Sequence, residues 1–148
     1  MNQPLFKGLL ALTLLALLSA CGNAPDEAVI RDALNRELQG SHLNALLEAD
    51  DVEAINLYQE DDNHYTVDVH YRLRAKRDLS DYAAEVKADE ERDAMDRFAM
   101  VMALAAVRVE FGDFTKGAEF PQERRIRLAR SDDAWVIPQP PRPGAETP

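Results

Sequence analysis

The sequence holds one cysteine, three histidines and six glycines among 148 residues, and its 17 Lys+Arg are outnumbered by 27 Asp+Glu. Each scarcity excludes something. A lone thiol rules out an intramolecular disulfide framework and any cysteine-based zinc site. The glycines form no phosphate loop or dinucleotide fingerprint, and neither a nucleophile elbow nor a zinc-protease helix is present. A formal net charge of -10 argues against a general nucleic-acid binder. Long apolar runs are scarce too. The stretch from Gly8 to Ala20 is thirteen residues without a charge. As a helix it rises about 20 Å, short of the roughly 30 Å hydrocarbon core, so it fits the apolar region of a secretory signal better than a permanent span.

Lys7 precedes that stretch, and Leu18-Ser19-Ala20-Cys21 closes it with two small residues and the only cysteine. This order resembles the bacterial lipobox. The resemblance implies that Cys21 receives a diacylglyceryl group through a thioether and that a lipoprotein signal peptidase cuts between Ala20 and Cys21. The freed amine would then be acylated, as with palmitate. Two or three acyl chains, at about 0.8 kcal/mol per buried CH₂, anchor a protein durably where one does not. Gly22 stands where an aspartate retains many such proteins in the inner membrane. By resemblance, the expected location is therefore the periplasmic face of the outer membrane. The chain then divides into a signal peptide (1–20), a lipidated tether (21–25), one α+β domain (26–138) and a Pro-rich tail (139–148). The tether reaches at most about 14–18 Å, holding the domain near the membrane.

Within the domain, Asp26 is a plausible N-cap for a helix carrying Val29, Ile30, Ala33, Leu34 and Leu38, with Gly40 as its stop. Ser41 and the leucines at 43, 46 and 47 predict a second short helix ending near Asp50-Asp51. A short strand follows from Val52, with Ile55 and Leu57 on one face, and Glu60–His64 reads as a turn. Tyr65, Val67, Val69, Tyr71, Leu73 and Ala75 alternate with polar residues through Lys76, as in a strand with one buried face. A long helical stretch then runs from Ser80 or Asp81 to Phe111, with a break near Lys87–Glu90 and a terminator at Gly112. Its second half, Phe98–Val107, lacks charge and is expected to be buried on all sides in the concave side of the sheet. Two strands follow a loop from Asp113 to Gln122: Arg124–Arg130, then Trp135-Val136-Ile137 after a Ser131–Ala134 turn. Five prolines in the last eleven residues exclude regular structure there.

The predicted architecture is α+β: an antiparallel sheet of about four strands packed on a long central helix and N-terminal helices, cone-like or an open sandwich. The element order, and the ending Arg127-Leu128-Ala129-Arg130-Ser131-Asp132-Asp133-Ala134-Trp135-Val136-Ile137, resemble small lipoprotein domains of the nuclear-transport-factor-like and cystatin-like folds. Enzymes of that resemblance use Asp or His inside a cone, which would nominate Asp68 or His70. Both fall on the polar side of their strand, which argues against catalysis.

His42, His64 and His70 are the only obvious general bases. The latter two share a strand face but lie about 20 Å apart, too far to hold one metal together. Asp61-Asp62-Asn63-His64 lacks calcium-loop spacing and reads as a hydrated turn. Residues 26–64 hold 2 basic and 11 acidic side chains. Basic residues gather instead on the strands: Arg72, Arg74 and Lys76, then Arg124, Arg125, Arg127 and Arg130. If these strands pair, Arg72, Arg74, Lys76, Arg125 and Arg127 form a face for anionic headgroups or an acidic partner; cross-strand salt bridges to Asp68 and Glu123 are the alternative. Met95, Met100 and Met102 with Phe98 make an adaptable patch that could line an apolar pocket or fill the core. No metal and no cofactor are expected beyond the lipid on Cys21. The function expected is that of a non-enzymatic, lipid-anchored partner-binding or accessory domain. A binder of an apolar or anionic envelope molecule is the alternative.

Overall fold

Asp26 opens the first helix as the sequence requires: its Oδ1 accepts a hydrogen bond from the Val29 N–H at 2.9 Å. In the computed structural model, which describes residues 24–139, this helix, α1, spans Glu27–Gly40. The apolar stretch, Ala20, Cys21, most of the tether and residues 140–148 lie outside the described residues. After α1 come β1 (Leu47–Asp61), β2 (His64–Ala75), α2 (Leu79–Ala88), α3 (Ala94–Phe111), β3 (Glu119–Ser131) and β4 (Ala134–Val136). The strands form one antiparallel sheet in the order β1-β2-β3-β4. With its three helices it is an α+β open sandwich.

β2 is the central strand, and its alternation is read out in full. Tyr65, Val67, Val69, Tyr71, Leu73 and Ala75 are buried, while the residues between them face outward. Their inner face receives Ile30, Ala33 and Leu34 of α1 together with Ile126 and Leu128 of β3. Trp135 closes this cluster, meeting Tyr65 edge-on at 5.4 Å between ring centroids. A second cluster forms at the other end of the sheet, where Leu47 and Ala75 meet Leu79, Tyr82, Ala83 and Val86 of α2 and Met100, Leu104 and Val107 of α3.

Three expectations need correction. Residues 41–46 are turns rather than a helix, because Leu47 and Glu48 are already paired with Ala75 and Arg74 of β2. The leucines at 43, 46 and 47 have helical spacing, but strand pairing claims the last of them. β1 is consequently 15 residues long, with register shifts at Asp50/Glu53 and Ala54/Asn56. Asp51 sits at φ 47 in the first of these. The first shift turns Val52 and Ala54 inward, and the second brings Leu57 opposite Val67; Ile55 and Leu57 are nevertheless both exposed. Finally, Phe98–Val107 is not buried all round. Within α3 only Met100, Leu104 and Val107 are buried, facing α2 and the sheet's end. The expected break is present, at Asp89–Asp93 between α2 and α3, and Gly112 ends α3 at φ 75. Among the described residues, no helix is long and apolar enough to cross a membrane.

Candidate functional site

Three surfaces carry the residues of interest. The first is the outward face of the sheet. Arg72 and Arg74 lie side by side on β2 and share Glu119 of β3, at 3.0 and 3.5 Å. Arg74 also reaches Asp50 at 2.6 Å, and Arg72 pairs with Asp51. Further along, Arg125 grips Asp68 bidentately at 2.6 and 3.1 Å, where Asn56 also donates to the same carboxylate. Arg127 meets Glu60 at 2.9 Å. Lys76, just beyond the strand, donates to the Asn44 carbonyl at 2.8 Å and stands apart from the others. The structure therefore brings Arg72 and Arg74 together, and separately Arg125 and Arg127, but it meets each guanidinium with a carboxylate. Hydrogen bonds from Arg125 hold Asp68 below the usual carboxylate range, and those from Thr66 and then Arg127 do the same for Glu60. This is a charge-balanced, solvated sheet face with cross-strand pairs.

The histidines do not converge. His42 is exposed in a turn at φ 61, and His64 Nδ1 is 2.8 Å from Asp61 Oδ1 at the β1–β2 hairpin. His70 faces Glu123 at 3.5 Å on the outer face. Asp61 is depressed first by the Asn63 N–H and then by His64, which is the chemistry of a closed Asx turn. Among the described residues, no three or more His, Cys, Asp and Glu are grouped so as to hold a metal.

The second surface is a cleft of about 270 Å³ between α1, the inner sheet face and the last turn of α3. Leu34, Leu38, Leu43, Leu73, Val107 and Phe111 give it an apolar floor. Its polar wall is Arg124, which the predicted outward face of Arg72, Arg74, Lys76, Arg125 and Arg127 did not include. Arg124 shares the parity of Ile126 and Leu128, so it points inward, and that parity was the available signal. Its guanidinium binds Glu37 of α1 at 2.9 and 3.1 Å and lies 3.5 Å from the Tyr71 hydroxyl. The Glu37 carboxylate, outweighing the cost of partial burial, raises its proton affinity above the ordinary value. Gln122 and Glu110 flank the opening.

The third surface is the outer side of α3. Met95 is 75% exposed, Phe98 62%, Met102 55% and Val109 88%. They are spaced by three, four and seven residues and so share one side of the helix, with Ala105 and Ala106 between them. Met100, the third methionine of the predicted patch, points the other way into the core. Side chains of this size expose on the order of 500 Å² together, within the range of the largest apolar patch on an ordinary monomer, which is often functional.

These surfaces define an α+β open sandwich with an apolar helix face and an amphipathic cleft. No protein-family model matches the chain, and no curated protein or solved structure is similar enough to count as a match.

Proposed function

We propose that this protein is a lipoprotein anchored through Cys21 in the bacterial envelope, facing the periplasm and held at the outer membrane. Its domain is a non-enzymatic partner-binding or accessory module that docks through α3. The anchor rests on the order Lys7, apolar run, Leu18-Ser19-Ala20-Cys21. The docking rests on one observation, the apolar outer face of α3, where four large side chains are more than half exposed. The position of Asp68 and His70 on the ion-paired outer sheet face, away from the cleft, favours binding over catalysis.

Two experiments test the two halves. Cys21→Ala should abolish incorporation of labelled fatty acid, and a variant that still takes up label overturns the anchor. A photo-crosslinking residue at Phe98 or Met102, in intact cells, should give a discrete protein adduct that the same residue at Gln59 does not. An absence of adducts at both α3 positions sinks the docking reading.

The cleft favours a second reading, an apolar molecule with a polar end lying against Arg124 and Gln122. Native mass spectrometry of the protein released from its membrane should then show bound mass. Arg124→Ala should reduce that mass, and an empty domain from every growth condition would set this reading aside.

A further inference from the structure

We infer that the segment Pro140–Pro143 of this chain's own tail lies extended along the free edge of β3 and straps the mouth of the cleft. The strap concerns a different surface from α3, and it holds or fails independently of the docking reading.

β4 runs antiparallel to β3 in a fixed register, with Ala134, Trp135 and Val136 opposite Ser131, Arg130 and Ala129. Ladder pairing stops there, but the chain keeps its line. Ile137 packs on the same core cluster as Trp135. The side chain of Gln139 rests against Gly40 at the end of α1, so closely that a Cβ on Gly40 would collide with its amide. Trp135, Ile137 and Gln139 thus all turn to the inner side, the alternation of an extended chain. Carried on in the same register, Pro141 comes level with Arg124, Arg142 with Glu123 and Pro143 with Gln122. Arg124 and Gln122 are the β3 residues that line the cleft.

The prolines account both for the end of the ladder and for a chain that still follows the edge. The Arg130 N–H donates to the Asn63 carbonyl at 2.8 Å, toward β2, so the backbone groups of Ala129, Arg127, Arg125 and Glu123 face the opposite edge. Among the described residues, that edge has no partner strand beyond Ala129. Pro138 and Pro140 fall opposite Arg127 and Arg125, where a ladder needs the N–H that proline lacks. Pro141 and Pro143 fall where an N–H would point away from β3, so no ladder bond is lost to them. Arg142 has its N–H where Glu123 presents its backbone.

Side-chain chemistry agrees with this register. Pro141 and Pro143 take the inner parity, so their rings face the cleft, whose floor includes Leu38, Leu43 and Phe111. Arg142 takes the outer parity, level with Glu123. That carboxylate is 82% exposed, and its one ion-pair partner among the described residues is His70, at 3.5 Å. The cleft itself sets Glu37 and Glu110 against Arg124 alone, which suits a segment whose only charge is positive. Proline-rich chain also loses little entropy on being held extended, so few backbone bonds suffice to keep it there. A small molecule entering the cleft would have to move this strap.

Paired cysteines in the full-length chain, in its native membranes, provide the test. Glu123→Cys with Arg142→Cys sets two Cα atoms about 5.5 Å apart in the expected register, within disulfide reach. Mild oxidation should link them within one chain, several-fold more than it links Arg127→Cys with Arg142→Cys, and Arg142→Cys alone should give no linked species. In protein released from its membrane, removing residues 140–148 should accelerate amide exchange at Glu123 several-fold. Exchange at Ile126, whose N–H faces β2, should not change. Equal linkage of the two pairs means a tail without register and overturns the proposal. A linked dimer places the tail on another copy and overturns it as well. Absence of linkage at Glu123, or unchanged exchange there after truncation, removes the strap.

Discussion

Arg124 on β3 reaches across the inner face of the sheet to clasp Glu37 of α1 through two hydrogen bonds, at 2.9 and 3.1 Å. It shares the inward parity of Ile126 and Leu128, and it fastens the helix to the third strand beside the cleft. Both side chains remain partly exposed, so the pair is screened. Removing either partner alone by Arg124→Met or Glu37→Gln should cost about 1–2 kcal/mol in urea unfolding. The double variant should cost less than the sum, with a coupling on the order of 1 kcal/mol. Strict additivity would show that the contact does no energetic work.

A second fastening uses an amide. The Asn35 side chain donates to the Ala49 carbonyl at 3.1 Å and accepts from the Ala49 N–H at 2.9 Å. It thus pairs with the free edge of β1 as a neighbouring strand would. Asn35→Leu leaves both backbone groups without this partner and should destabilise the fold by about 1–3 kcal/mol. Amide exchange at Ala49 should accelerate in the same variant; unchanged exchange there would contradict the pairing.

The two sides of α3 should answer mutation in opposite ways. Leu104→Ala empties a buried position and should cost about 2–4 kcal/mol. Phe98→Ser, on the exposed side, should shift monomer stability by no more than about 0.5 kcal/mol. Thermal unfolding at high dilution separates the two. A large loss at Phe98 would mean that the residue is buried within the monomer.

Acid should weaken the protein through its outer sheet face. Asp68, Glu60 and Asp61 are all held below the ordinary carboxylate range when folded, through Arg125, through Thr66 with Arg127, and through the Asn63 N–H with His64. The unfolded chain therefore takes up protons at a higher pH than the folded one does. The stabilisation is complete above about pH 5, and it is lost as pH falls below about 4 and through the lowered folded values. Asp68→Asn should flatten the acid limb of a plot of melting temperature against pH while moving the plateau little. An unaltered acid limb would assign the effect to other groups.

How much the sequence disclosed depends on how each residue is used. β2 was legible because a strand with one wet and one dry face must alternate, and Tyr65 through Ala75 do so without a break. The capped start at Asp26 and the stop at Gly112 were legible because backbone geometry demands those residue types. β1 was not, since its register shifts at Asp50/Glu53 and Ala54/Asn56 invert the parity of the residues between them and restore it from Asn56 onward, and a shift leaves no mark in hydrophobic spacing. The reading of Phe98–Val107 as core failed for a related reason. An uncharged helix face has the same composition whether its neighbour belongs to its own chain or to another. Arg124 fell outside the predicted face of Arg125 and Arg127, but its clasp on Glu37 joins residues far apart in the chain and leaves no mark in local spacing.

The two hydrophobic clusters touch only partly: Leu38, Phe111 and Phe120 are the residues that border both. Phe111 and Phe120 stack at 4.7 Å, and Phe120 meets Phe114 at 5.1 Å. Beyond the paired strands, where Leu47 and Ala75 of one cluster adjoin Ala49 and Leu73 of the other, the contact between the clusters runs through this aromatic joint and Leu38. The α2–α3 pair is thereby set up to open as a unit of its own, at less than the free energy of melting the sheet and α1. On the proposed reading of α3 as a docking surface, the softer half would carry that surface while the sheet and α1, next in sequence to the proposed tether, stay folded.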